Sequence, residues 1–263
     1  MHVAALGLSP LKGGTPHHPD TVELADHGPV GDRRFCCVDP VARRVLRTVE
    51  NPALMALRAR VETDPGGGPD VLTVDVPGTG RLAAPVAAAD SLRADYWGRR
   101  PRLSVLSGPW ADALSTHLGR EVVLAEAAPR DVVYAGGVTV VTTSSLREVA
   151  RRSGLGTDDA RLLQDAERWR ANLVVDSGDA RAFMEDDWVG GRLRVGGAVL
   201  AVRAGVPRCA VVRLVPGSGA RESWDPLGLL TADRLREREV VFGVDAEVLT
   251  PGTVAVGDPV HAG

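Results

Sequence analysis

The sequence predicts a mixed α/β fold dominated by strands: a β-barrel-like core with short helical insertions, preceded by a β-rich N-terminal unit. Three observations carry this. Short apolar or alternating runs bounded by Gly, Pro and Asp recur in both halves. Helical patterns are few and short. The regular strand–helix alternation of a parallel α/β sheet is missing, as are Gly-rich nucleotide-binding fingerprints.

Taken in order, "HVAALGLS", "RRFCCVD", "ALRARVE" and "VLTVDV" read as strands, with "DPGGGPD" a turn between the last two. "SGPWADALSTHLG" predicts a helix capped by Ser107, with Pro109 in its first turn and Gly119 as its stop. "TTSSLREVARRSG" repeats the pattern, with Ser144 or Ser145 as cap and Gly154 as terminator. "GTDDARLLQDAERWR" holds another short helix and leads into the strand "ANLVVDSG". "RLRVGGAVLAVRAGVPRCAVVRLV" reads as two or three strands, with turns at Gly196-Gly197 and Gly205-Val206-Pro207. "WDPLGLLTADRLRERE" is helical, and the tail gives two strands around Pro251-Gly252.

Composition narrows the functional classes. The chain has 263 residues, enough for one large domain or two modest ones, and 25% are charged. A net charge of −3 gives no reason to expect nucleic acid or an anionic membrane as partner. No apolar run reaches the ~18 residues of a membrane span, and the opening "MHVAALGLSPLKGG" lacks the pattern of a signal peptide. Three cysteines cannot close a disulfide framework, so the expectation is a cytoplasmic protein with free thiols. Of the 31 basic residues only Lys12 is lysine; Ile is absent, and Asn occurs only at Asn51 and Asn172. Under such a bias, Lys12 and Asn172 are candidates for residues held by chemistry.

Several constellations read as structural. Cys36 and Cys37 are adjacent within a strand and point to opposite faces, which suits packing better than a redox pair. His17-His18 lack metal-ligand spacing, so no zinc is expected. Glu185-Asp186-Asp187 read as solvated or capping charges. A cationic and thiol set remains: Lys12, Arg33, Arg34, Arg170, Asn172, Arg208 and Cys209. Gly-flanked Lys12 suits an anion, and the arginines offer forked donors to a phosphate. "WRANLVV" places Arg170 and Asn172 on one face at strand spacing. Cys209 follows Arg208, a setting for a low-pKa thiol acting as nucleophile or metal ligand. From spacing alone, scattered surface arginines and a buried cysteine at a strand start explain the set better.

The motifs in sequence order carry a resemblance. "ALGLSPLKGG", "HGPVGDRRFCCVD", "SSLREV", "RWRANLVVDSGDARAFMEDDW", "VPRCAVVRL" and "VFGVDAEVLTPGTVAVGDPV" together resemble the MOSC superfamily (molybdenum cofactor sulfurase C-terminal domain) with its N-terminal β-barrel companion. The two-part length is most similar to the amidoxime-reducing components and their bacterial homologues. The resemblance implies an N-terminal unit over 1–106 and a MOSC domain over 107–263. It implies that Cys209 is the protein's ligand to molybdenum, and that Lys12 and Arg33 hold the phosphate of the pterin. Arg170, Asn172 and Arg208 are implied as further cofactor contacts. The implied activity is reduction of N-hydroxylated small molecules. Flavin, haem and zinc are not expected, so electrons would come from an external donor such as a ferredoxin or a flavin reductase. Two alternatives stay open: a sulfur carrier using a Cys209 persulfide, and a binding module without cofactor. The sequence departs from the family pattern at Gly13, where serine is usual, at Ala171, where proline is usual, and at Val215-Pro216; "LRTVENP" does not align cleanly.

Overall fold

A computed structural model describes residues 1–64, 66–133, 136–156 and 158–263. Strands make up 41% of the chain and helices 20%, so the strand-dominated expectation holds. Among the described residues the largest sheet has eight strands. It runs His2–Leu6, Leu173–Asp176, Val138–Thr142, Glu239–Thr250, Ala198–Arg208, Arg192–Val195 and Val260–Ala262, with Leu235–Arg236 paired to Glu239–Thr250. Its two ends meet. His2 bridges Pro259, Val3 N–H donates to Asp258 O at 2.9 Å, and Val260 N–H donates to Met1 O at 2.9 Å. The sheet is therefore nearly closed into a barrel, which leaves few unpaired edge groups.

The period-2 pattern decides which face each residue covers. Val140, Leu173, Val175, Val244 and Ala246 fill the barrel interior with Val3, Leu6, Leu193 and Leu200. Their alternates Val141 and Val174 face outward against a helical layer, and Phe242 joins them although it shares the parity of Val244, because Gly243 between the two has a φ of 71° and breaks the alternation. That layer is built from α2 (Thr143–Ser153), α3 (Asp159–Trp169) and α4 (Pro226–Arg234), which follow α1 (Trp110–Leu118) in the chain. Phe242 stacks on Trp169 at 4.1 Å between ring centroids, fixing the end of α3 against the barrel.

A second unit holds the five-stranded sheet Arg44–Val45, Phe35–Asp39, Val123–Glu126, Arg102–Leu106 and Ala88–Arg93, beside Arg58–Glu62, Val71–Val76 and Gly80–Pro85. α1 packs Trp110 and Leu114 into its core against Leu54, Leu72 and Val74. The expected division after residue 106 falls between paired strands of this unit, because Ser104 pairs Glu126. Conversely, His2–Leu6 belongs to the later barrel, and Thr21–Ala25 pairs Gly252–Ala255 beside it. Hydrogen-bonded pairing, not chain order, assigns these segments.

Local expectations differ from the structure at several points. α1 starts after Pro109 rather than Ser107, and Thr142 caps α2 by accepting from Ser145 N–H. Gly119 and Gly154 terminate the two helices in left-handed conformation, as expected. Gly205-Val206-Pro207 is no turn: Ala198–Arg208 runs through it as one strand with irregular register. The run after Cys209 is a short 3-10 helix, Ala210–Arg213, not a strand.

Leu6 is 1% exposed inside the barrel. Leu6→Ala should lower unfolding free energy by about 2–5 kcal/mol, through lost transfer energy and the cavity left behind. Urea denaturation checks this. An unchanged midpoint would mean that the N-terminal strand is not part of the barrel core.

Candidate functional site

Two loops run side by side to build the floor of the site. Arg33 N–H donates to Ser9 O at 2.8 Å, Phe35 N–H to Pro10 O at 2.9 Å, and Lys12 N–H to Phe35 O at 2.7 Å. This parallel arrangement holds Lys12 next to Arg33. Arg33 has a φ of 52°, which turns its side chain away from Arg34. The separation is complete: Arg33 pairs with Asp32, while Arg34 pairs with Asp70 and Glu126 and stays outside the site. Gly13 has a φ of 88°, and a Cβ there would come within 2.7 Å of Thr48 Oγ1. Glycine in place of the family's serine therefore matches the backbone.

Arg170 lies beyond the end of α3 with a φ of 53°, before the strand Leu173–Asp176 begins. The strand-spacing argument for Arg170 and Asn172 thus does not describe their geometry. A left-handed residue instead ends the helix and turns the guanidinium toward the loops, where Nη1 donates to Gly14 O at 2.7 Å. Asn172 is buried and its carboxamide is spent on the fold. Its Oδ1 accepts from Thr139 N–H at 3.0 Å, and its Nδ2 donates to Gly7 O at 3.1 Å and Asp32 Oδ2 at 3.3 Å. Asn172 is a positioning residue that locks the Lys12 loop to the barrel and orients Asp32.

Arg208 reaches the same place from the far end of its strand. Its Nε donates to Phe242 O at 2.8 Å and Nη1 to Trp169 O at 2.6 Å, one residue from Arg170. Nη2 is buried with no partner among the described residues. Cys209 follows, exposed, where the strand gives way to the 3-10 helix. A cleft of about 490 Å³ is lined by Lys12, Arg208 and Cys209 together with Arg47, Tyr96 and Trp97.

The electrostatics are one-sided. Lys12, Arg33, Arg170 and Arg208 face one another, and the Asp32–Arg33 contact is their one ion pair among the described residues. Burial, reinforced by Arg33 and Arg170, pushes the Lys12 ammonium from its ordinary 10.5 down to about 7. Burial likewise pushes the Arg170 guanidinium down to about 10 and that of Arg208 to about 9, opposed in both by Cys209. Lys12 Nζ sits 4.6 Å from the Tyr96 ring centroid, a partial compensation. Such a cluster is chemically suited to an anion with several oxygens, because each desolvated cation gains a charge-assisted bond.

The other sequence candidates are engaged elsewhere. Cys36 and Cys37 are buried in their strand, and burial pushes the Cys36 thiol up to about 12. Glu185 is fully buried and accepts from Thr142 Oγ1 and Ser145 Oγ, each at 2.7 Å. Asp186 pairs with Arg234 and Asp187 with Arg181. His18 bonds Leu6 O and Glu167. No cluster of three metal-ligating side chains occurs among the described residues. Arg47, Thr48, Tyr96 and Trp97 were missed by sequence reading; Arg47 and Thr48 belong to the segment that aligned poorly, and no periodic signal marks the Tyr96-Trp97 turn.

The folded value of Lys12 lies below its unfolded value, so its charge opposes folding most at pH below about 7, and this penalty fades as pH rises toward 10.5. Lys12→Met should therefore raise the thermal midpoint near neutrality, with a gain that vanishes at high pH. Sulfate, whose charge is constant over this range, should bind the wild type more tightly as pH falls through 7 and bind Lys12→Met weakly throughout. A pH-independent stability difference between the two proteins would contradict the assignment.

The comparisons with known proteins cover nearly the whole chain. A family model described as the MOSC N-terminal beta barrel domain matches residues 1–119, and one described as the MOSC domain matches residues 132–261. No curated protein matches. Among solved structures, the YUAD protein from Bacillus subtilis is 12% identical, with 99% of this chain and 93% of that chain covered and a TM-score of 0.44. YiiM from Geobacillus stearothermophilus is 14% identical over 48% of this chain and 54% of that chain, with a TM-score of 0.33. The chain belongs to the MOSC superfamily, in the form that joins a MOSC N-terminal beta barrel domain to a MOSC domain.

Proposed function

We propose that the protein is a molybdenum-cofactor oxidoreductase that reduces N-hydroxylated compounds with electrons from an external donor. MOSC domains are linked to molybdenum-cofactor binding in general. The observation that carries the reading is the convergence of four cations, Lys12, Arg33, Arg170 and Arg208, from segments far apart in sequence, beside a cleft that Lys12 and Arg208 line together with the exposed Cys209.

The residues fit the group. Arg208 Nη2 is a buried donor without a partner among the described residues, and the excess positive charge suits a phosphate. Lys12, Arg33 and Arg170 would hold that phosphate, Arg208 would orient the pterin end, and Cys209 Sγ would ligate molybdenum as a soft donor. When bound, the cofactor supplies the two-electron chemistry that cleaves an N–O bond. The protein's part is positioning. Asn172 and Asp32 fix the Lys12 loop, the Arg208 bonds to Trp169 and Phe242 fix the strand end before Cys209, and Tyr96 and Trp97 form one wall of the cleft.

One observation also favours the sulfur-carrier reading: Cys209 is exposed and so accessible to an acceptor. Cys209→Ser separates the two. On the oxidoreductase reading, turnover of benzamidoxime by the loaded protein falls to background while pterin content stays near that of wild type. On the carrier reading, wild-type protein shows a mass increase of one sulfur and acts without molybdenum. Cys37→Ala, in the core, is the control; it should cost about 1 kcal/mol of stability and leave turnover per folded molecule unchanged. Full turnover in Cys209→Ser would overturn the proposal.

A further inference from the structure

The hairpin that supplies Tyr96 and Trp97 also carries a concentration of charge that the cleft does not use. Arg93 and Arg102 stand directly opposite each other in the antiparallel pair of Ala88–Arg93 with Arg102–Leu106. Arg99 and Arg100 lie in the connecting turn, and Arg43 and Arg44 are joined to it because Asp95 N–H donates to Arg43 O at 2.7 Å and Val45 N–H to Asp95 O at 3.0 Å. All six are exposed. None forms an ion pair among the described residues. Some other surface arginines do, such as Arg81 with Asp75 and Arg203 with Glu247, and others such as Arg192 and Arg221 do not; what sets the six apart is that they are gathered around one turn.

Three of the six are held by neutral acceptors that leave their charge intact. Arg93 Nη1 donates to Arg100 O at 3.1 Å, Arg102 Nη2 to Ser91 Oγ at 3.0 Å, and Arg99 Nη2 to Val133 O at 2.7 Å. The neighbouring carboxylate of Asp95 is turned to the backbone, accepting from Gly98 N–H at 3.1 Å. Like charges directly opposite on a sheet destabilise it. In a chain whose net charge is −3, this is a local positive field maintained against folding stability. It is continuous with the cleft. Trp97, 56% exposed with a φ of 54°, projects from the same turn and covers Arg47 at 4.5 Å, and both line the cleft that holds Cys209.

We infer that the Arg43/Arg44 and Arg93–Arg102 face is the docking surface for a small acidic one-electron carrier of the ferredoxin class, with Trp97 as the apolar contact at its centre. This rests on the proposed reductase reading. Conversion of an N–OH group into N–H and water consumes two electrons and two protons, so two reduced carriers are oxidised in turn at this face per substrate. A complementary field raises the encounter rate and orients the carrier beside the cleft, and it weakens as salt shortens the Debye length to about 8 Å.

The test is a titration of the loaded protein with a plant-type two-iron ferredoxin at low and at physiological salt. Wild type should bind, with affinity falling as salt rises. Arg93→Gln/Arg99→Gln/Arg100→Gln/Arg102→Gln should bind on the order of tenfold more weakly, with little salt dependence, and should have an equal or higher thermal midpoint. Arg43→Gln/Arg44→Gln, in the neighbouring strand, should weaken binding in the same direction, and it carries the test if the fourfold variant fails to fold. Turnover driven by chemically reduced viologen should persist in both variants. Loss of viologen-driven turnover in wild type would sink the reductase reading and leave the binding result standing. Salt-insensitive ferredoxin binding, equal binding by the variants, or tighter binding of a single-stranded oligonucleotide than of ferredoxin would overturn the docking surface.

Discussion

The rest of the structure depends on the crowding of four half-buried, mutually repelling cations, Lys12, Arg33, Arg170 and Arg208, beside a single ion-paired carboxylate. Burial of uncompensated charge opposes folding, so the surroundings must over-determine these side chains. They do so with backbone acceptors. Gly14 O holds Arg170, Phe242 O and Trp169 O hold Arg208, and Phe35 O holds the Lys12 backbone. Two of the four, Arg33 and Arg170, are themselves left-handed residues, a conformation that disfavours any side chain with a Cβ. Strain and repulsion are concentrated where an anionic ligand would relieve them.

The fold explains how residues from distant parts of the chain meet. The N-terminal strand pairs with Leu173–Asp176 and closes on the C-terminal strand, so the loop after it, with Lys12, lies against the start of the Leu173 strand, with Arg170 and Asn172. Glu239–Thr250 places Phe242 where its carbonyl holds Arg208 and its ring holds Trp169. The helices stabilise this side of the barrel by packing on the outward alternates of the same strands. The second unit contributes the cleft's other wall through Arg47, Tyr96 and Trp97, so the site lies where the two units meet.

Much of this was legible in the sequence, for identifiable reasons. Alternation marked the strands, and glycine marked the ends of α1 and α2. The scarcity of Lys and Asn in the composition singled out Lys12 and Asn172, and both are built into the site, though Asn172 acts through the backbone rather than as an open ligand. The unreadable parts are those that depend on tertiary pairing. The assignment of His2–Leu6 to the distant barrel, the continuity of Ala198–Arg208 through Gly205 and Pro207, and the 3-10 helix after Cys209 each override a local signal. That Arg33 and Arg34 face opposite ways was expected of a strand, but the left-handed backbone at Arg33 that separates them is announced by no pattern. The clustering of exposed arginines around Trp97 was invisible in a chain whose total charge is slightly negative.

The central claim is that the half-buried cations and Cys209 together form the seat of a molybdenum-bearing pterin phosphate. Elemental analysis and pterin quantification of protein purified from a cofactor-competent host test this most directly. The account predicts molybdenum and pterin in equal amounts approaching one per chain. Protein that contained neither, and that took up neither on reconstitution with the cofactor, would contradict it.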